Sequence, residues 1–224
     1  MSATSQVGIG NAGKPAGPPR GKYIAMAIVG AMFVYVFFHN EQFLFNRAHP
    51  VWQHYEPFKW WLLPHGVAGL CTLVLGPLQF SNRLRLKYLR LHRTTGAIYV
   101  TGALVLAPIG IVIQYFDESQ GAARSFTIET MIQSGLLMIT TALGLYYAMR
   151  GNIWRHRQWM VRSYAIAVTF LQIRVILGVF GLDHPPIDWH VLETVVWGCT
   201  ATALLVGDIA NQIYERNSRL PARA

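Results

Sequence analysis

Residues 65–110 read HGVAGLCTLVLGPLQFSNRLRLKYLRLHRTTGAIYVTGALVLAPIG. An apolar block runs to Phe80, the segment SNRLRLKYLRLHR brings Arg83, Arg85, Lys87, Arg90 and Arg93, and a second apolar block opens at Thr95. A helix needs about 20 apolar residues to cross roughly 30 Å of hydrocarbon. Lipid offers no partner for backbone N–H and C=O groups, so helices and closed barrels are the only spanning forms. The stretch therefore predicts two membrane helices joined by a basic loop.

Working outward, the same pattern repeats. Apolar blocks lie at Tyr23–Phe38, Lys59–Phe80, Thr95–Tyr115, Thr127–Met149, Trp159–Gly181 and His190–Tyr214. The expected fold is all-α: one integral membrane bundle of six transmembrane helices over residues 23–214. The segment 1–22, rich in Gly, Pro, Ala and Ser, reads as a tail that is disordered or held by a partner. Residues 215–224 form a basic C-terminal tail. The first block could be a signal peptide, but no small-residue cleavage site precedes His39, so it reads as a retained span.

Loop charge tests the count. Lys14, Arg20 and Lys22 precede span one, the five cations above join spans two and three, Arg150, Arg155, Arg157 and Arg162 join four and five, and Arg216, Arg219 and Arg223 end the chain. Thus 15 of 19 basic residues fall on one side. Because Lys and Arg mark retained loops, both termini are expected in the cytoplasm, and the membrane to be the bacterial inner one. Five or seven spans would scatter these cations. The net charge of +9 is thereby a topology signal, and nucleic-acid binding is excluded for want of one basic soluble face. Only 13% of residues are charged, against about 25% in soluble domains. Cys71 and Cys199 sit inside apolar blocks without a CxxC spacing and read as packing residues.

Helical spacing then sorts faces. His65, Gly69, Thr72, Gly76 and Gln79 form one small and polar stripe on span two; His92, Gly96, Ala103, Ala107 and Gly110 do so on span three. Span four offers Glu129, Gln133, Thr140, Gly144 and Tyr147, span five His156, Ser163, Ala167, Phe170 and Arg174, and span six His190, Thr194, Trp197, Ala201 and Asp208. Such stripes are expected to face the bundle interior. Span one lacks one and reads as peripheral.

Four histidines lie on these stripes at two depths: His92 with His156 on the cytoplasmic side, His65 with His190 on the outer. Opposed imidazoles are the axial ligands of b-type haem iron; Gly69 and Gly96 would leave room for a porphyrin, and Arg93, Arg157 and Arg162 would pair with propionates. Boundary histidines also satisfy neighbouring helix ends without any metal, so both readings stand. His39, His49 and His54 read as surface residues, and His184 competes with His190. Arg174, about 22 Å along span five at 1.5 Å per residue, is costly unless paired, and Glu129 and Glu193 are the expected partners. That trio is the candidate catalytic or substrate group. Asp208 is expected to meet Arg162 or Arg157. Walker A, GxGxxG, HExxH and GxSxG patterns are absent.

The segments HGVAGLCTLVLGPLQFSNRLR, LHRTTGAIYVTGA and RHRQWMVRSYAIAVTFLQIR resemble a prokaryotic multi-pass membrane family known as domain of unknown function 2306. The likeness covers roughly residues 60–180 and implies a helical bundle but no reaction. A looser likeness to cytochrome b561-type bundles stops at span four, which has no histidine. Three functions follow. One is a haem protein exchanging electrons with quinol. Another is an accessory subunit of a larger membrane complex, held through the N-terminal tail and span one. The third is a transporter or lipid-handling protein for an anionic substrate.

Overall fold

The computed structural model describes residues 20–182 and 188–219, and among these every regular element is helical. In chain order they are α1 (Arg20–His39), α2 (Pro50–Tyr55), α3 (Lys59–Gln79), α4 (Asn82–Lys87), α5 (Leu89–Ser119), α6 (Arg124–Met149), α7 (Ile153–Val179) and α8 (Trp189–Arg219). Six segments, which end in or comprise α1, α3, α5, α6, α7 and α8, are long and apolar enough to cross a membrane.

Local chemistry sets the joints. Ser81 Oγ accepts from Leu84 N (3.3 Å) to start α4, Asn152 Oδ1 from Arg155 N (3.1 Å) to start α7, and Asp188 Oδ1 from His190 N (3.0 Å) to start α8. Between α6 and α7 the chain reverses at Gly151, whose φ of +72° suits a residue without Cβ, while Asn152 N reaches back to Tyr147 O. Pro64, Pro77 and Pro108 lie inside α3 and α5, and the Leu73 carbonyl that Pro77 deprives of its helical donor accepts from Tyr164 OH of α7 (3.1 Å).

The helices α3, α5, α6 and α7 pack in sequence, and α7 meets α3 to close a four-membered ring; α8 lies along α7 and α6, and α1 along α7. One end of this bundle, where α1, α5 and α7 begin and α3, α6 and α8 finish, gathers the cations and is here termed the basic end. In the middle of the ring Ala103, Ala107, Leu137, Ile166 and Ala167 form a dry apolar layer. Small side chains there let the backbones approach closely, the main source of association between helices in lipid.

The helices outrun the apolar blocks. The third begins at Leu89 instead of Thr95, the fifth at Ile153 instead of Trp159, and the sixth continues past Tyr214 to Arg219. Hydropathy marks only the lipid-immersed stretch, whereas Arg, Lys and His continue a helix into the headgroup layer with their charged ends in water. Arg20 to Lys22 accordingly belong to α1, and residues 215–219 to α8. Residues 1–19, 220–224 and the 183–187 segment with His184 lie outside the described residues.

Candidate functional site

Three polar layers cross the bundle. The first is at the basic end. His156, on the first turn of α7, places Nδ1 2.8 Å from Gly144 O near the end of α6. A carbonyl only accepts, so Nδ1 carries the proton and Nε2 keeps a bare lone pair. His92, on the first turn of α5, lies within electrostatic reach of His156, Arg85 and Arg93. The Gln79 amide, with its oxygen accepting from Gly96 N (3.2 Å), donates through its nitrogen to His92 Nδ1 (3.2 Å). The neutral His92 ring therefore carries its proton on Nε2.

Cations surround this pair. Arg157 stacks on Tyr214, with Cζ 3.0 Å from the ring centroid, and lies within electrostatic reach of Arg85 and Lys22. Lys22 donates to Phe80 O at the end of α3. The two acids on α8 nearby are engaged elsewhere: Arg162 Nε donates to Asp208 Oδ1 (2.7 Å), as the sequence suggested, and Gln158 Nε2 to Glu215 Oε1 (2.6 Å). Among the described residues no ion pair joins Lys22, Arg85, Arg93 or Arg157 to an acid.

The second layer, two turns inward, is a hydroxyl chain: Tyr99 OH to Ser163 Oγ (2.8 Å) to Thr141 Oγ1 (2.7 Å), all buried. The third lies beyond the dry layer. Gln133 Nε2 donates to Thr169 Oγ1 (2.8 Å) and Thr200 Oγ1 (3.0 Å), and Thr200 donates to Glu129 Oε1 (2.7 Å). Glu129 is 1% exposed.

The outer histidine pairing is corrected. His65 donates from Nδ1 to Leu106 O (3.2 Å) and faces α5, its ring 3.2 Å from where a Cβ on Gly110 would stand. His190 is exposed on the first turn of α8, which packs on α6 and α7. Span six is rotated from the expected face: His190, Thr194, Trp197, Ala201 and Asp208 are exposed, and the buried stripe is Val196, Cys199, Thr200, Ala203, Gly207 and Asn211. The small residues of α8 face α7 instead, where a Cβ on Gly207 would stand in ordinary contact, 3.5 Å from Arg162 Cα and Ala165 Cβ.

Arg174 is corrected as well. The earlier start of α7 puts it five residues from the opposite end of that helix, and its side chain turns outward over Phe170 (5.4 Å) toward Glu41 and Tyr55. Among the described residues it pairs with neither Glu129 nor Glu193.

The residues present do not fit a porphyrin as packed. A Cβ on Gly96 would meet the Gln79 side-chain amide at 3.0 Å, one on Gly144 would meet Met160 Sδ at 2.6 Å, and one on Gly69 would meet Leu106 Cδ1 at 3.6 Å, so the glycine notches are filled by side chains. Two cavities, of about 340 and 250 Å³, run beside α1, lined by residues such as Gln172, Cys199 and Phe33 and by no histidine. Among the described residues no three His, Cys, Asp or Glu groups gather as for a metal.

Sequence reasoning missed Lys22 and Arg85 as site residues. Both stand near helix ends, and their approach to Arg157 is made by the tertiary packing, which no local spacing displays.

Residues 62–210 match the family model described as "Predicted membrane protein (DUF2306)". No curated protein and no solved structure matches the chain.

Proposed function

The chain belongs to the DUF2306 family of predicted membrane proteins, and from that premise we propose that it is an anion-handling protein of the bacterial inner membrane. Its basic end faces the cytoplasm in this reading and binds a phosphate-bearing group. The observation that carries it is the cluster of Lys22, Arg85, Arg93 and Arg157 around His92 and His156, with which no acid among the described residues forms an ion pair.

The positive-inside rule accounts for many cations on one side, but it places them in loops and does not require them to converge. Here cations from α1, α4, α5 and α7 crowd one junction, and Arg157 is turned in against an aromatic ring. Like charges at partly buried separations repel by a few kcal/mol per close pair. An anion seated among them relieves that cost, and guanidinium groups suit phosphate through paired N–H donors. Gln79 ties His92 to the end of α3 at this junction.

Lipid headgroup and free phosphate present the same chemistry, so the test separates them. Detergent-purified protein is titrated with short-chain phosphatidylglycerol and, separately, with inorganic phosphate. Expected is saturable binding lost at least tenfold in Arg157→Gln and Arg85→Gln, but retained in Arg90→Gln. Lipid binding alone identifies a headgroup site; phosphate binding alone identifies a soluble anion. Equal binding in all variants, or none, refutes the proposal.

A further inference from the structure

The half of the bundle beyond the dry layer contains a carboxyl that the basic-end site does not use. Glu129 stands on the second turn of α6, about 7.5 Å from the start of that helix at 1.5 Å per residue. It is 1% exposed, and its Oε1 takes one hydrogen bond, from Thr200. The donors behind it are all committed in one direction: Gln133 donates to Thr169 and Thr200, Thr169 donates to Ile166 O, and Thr200 donates to Glu129. That chain of donors ends on the carboxyl.

Among the described residues no cation answers it. On α7, Arg174 points outward; on α8, Cys199 lies within reach of Glu129, and Glu193 sits two turns nearer the helix start. On α5, Asp117 is held by Tyr55 and His54, and on α3, His65 is bound to Leu106 O. An ionised carboxylate buried in this way costs several kcal/mol. An amide would hold Thr200 equally well at no such cost, so hydrogen bonding to Thr200 does not explain an acid here.

Two further polar atoms lie buried without partners at this end of the ring: Gln114 Nε2 on α5 and Thr127 Oγ1 on α6, in residues 6% and 2% exposed. Thr127 lies two residues before Glu129 and so on another face of α6, and with Glu129 only about a turn and a half into that helix the near end of the bundle is its shorter way to water. Toward the basic end, Ala103, Ala107, Leu137, Ile166 and Ala167 bar the way.

We infer that Glu129 is a proton-exchange site of the membrane interior, taking up and releasing a proton from the end of the bundle opposite the cations. The exchange conserves the carboxyl: the proton passes between a carboxyl oxygen and water, while Thr200 and Gln133 hold the group in place. Intramembrane acids of this kind serve proton relays in transporters. The inference stands apart from the anion site and survives its failure.

Infrared difference spectra of the intact protein in lipid test it. Expected is a protonated-carboxyl C=O band that shifts in D2O, is replaced by carboxylate bands as pH is raised, and is missing in Glu129→Gln. A parallel measurement needs no variant: an apolar carbodiimide, which reacts with protonated acids in apolar surroundings, should label Glu129 ahead of the exposed Glu56 in peptide mass spectra. A Glu129 band that neither exchanges nor titrates, or labelling that spares Glu129, overturns the inference.

Discussion

A methyl group added at Gly76 tests how closely α3 and α7 are packed. A Cβ there would overlap Cε2 and Cδ2 of Tyr164 and lie 3.1 Å from Cζ, where ordinary contact begins near 3.4 Å. Tyr164 has little freedom to withdraw. Its hydroxyl donates to Leu73 O (3.1 Å), and its ring packs against Phe80 and Tyr99 at centroid distances of 5.7 and 6.4 Å. Overpacking of this kind costs about 1–3 kcal/mol, and loss of the Tyr164 bond adds about 1 kcal/mol. The gain in helix propensity from Gly to Ala offsets roughly 0.5–1 kcal/mol. Gly76→Ala is therefore expected to destabilise by about 1–3 kcal/mol, read from denaturant titration in mild detergent micelles. Gly198→Ala is the control, because nothing lies within 4 Å of its Cβ position, and it should be neutral or slightly stabilising. Adding Tyr164→Leu to Gly76→Ala should cost less than the sum of the two single changes, since one change relieves the other. Equal stability of Gly76→Ala and Gly198→Ala would refute the packing argument.

Tyr99→Phe breaks the bond to Ser163 but leaves Ser163 bound to Thr141, so a loss of about 0.5–1.5 kcal/mol is expected, with a smaller effect in a Ser163→Ala background. Thermal unfolding of the four variants of that cycle measures it. Burial pushes the Glu41 carboxyl above the usual carboxylate range, and Arg174 pulls it part of the way back. The folded state thus holds this proton more tightly than the unfolded chain, so the contribution is fully present below the unfolded value and is lost as pH rises through the folded one. The melting temperature should carry a downward component with rising pH that Glu41→Gln removes and Arg174→Leu enlarges. Finally, the oxidised-minus-reduced visible spectrum of protein expressed with ample haem should be featureless; an α band lost in His156→Ala would show that Gln79 and Met160 move aside for a porphyrin.

Most of the fold was legible because lipid leaves so few options: apolar length and loop charge sufficed for six spans. The stripes on α3, α5 and α6 were also legible, since Thr72, Gly76, Ala103, Ala107, Glu129 and Gly144 are buried as their spacing implies. Span six was misread because polarity was taken to mark its inner face. Its packing follows Cys199, Ala203 and Gly207 instead, and His190 and Asp208 lie near helix ends, where outward polar groups cost little. The site was less legible. Block position puts His65 and His190 on one side of the membrane but does not show which helices are neighbours, and ring order is a long-range property. Arg174 was placed too deep because a helix start six residues early moves every depth along α7. The link from Glu129 through Thr200 to Gln133 joins α6 to α8 across 71 positions of sequence, beyond the reach of any local spacing.

The attachment of α1 has a consequence for biosynthesis. This helix is made before the surface it mainly lies on, which belongs to α7 and emerges about 110 residues later. At synthesis rates of about 5–20 residues per second, α1 waits roughly 5–20 s in the bilayer without that surface, and α3, with Leu73 and Phe80, is the earlier partner it can meet. A stretch from Tyr23 to Phe38 without a single charge suits a helix that has to hold its place in lipid meanwhile. The packing of α1 is thus completed out of order, only once α7 has followed.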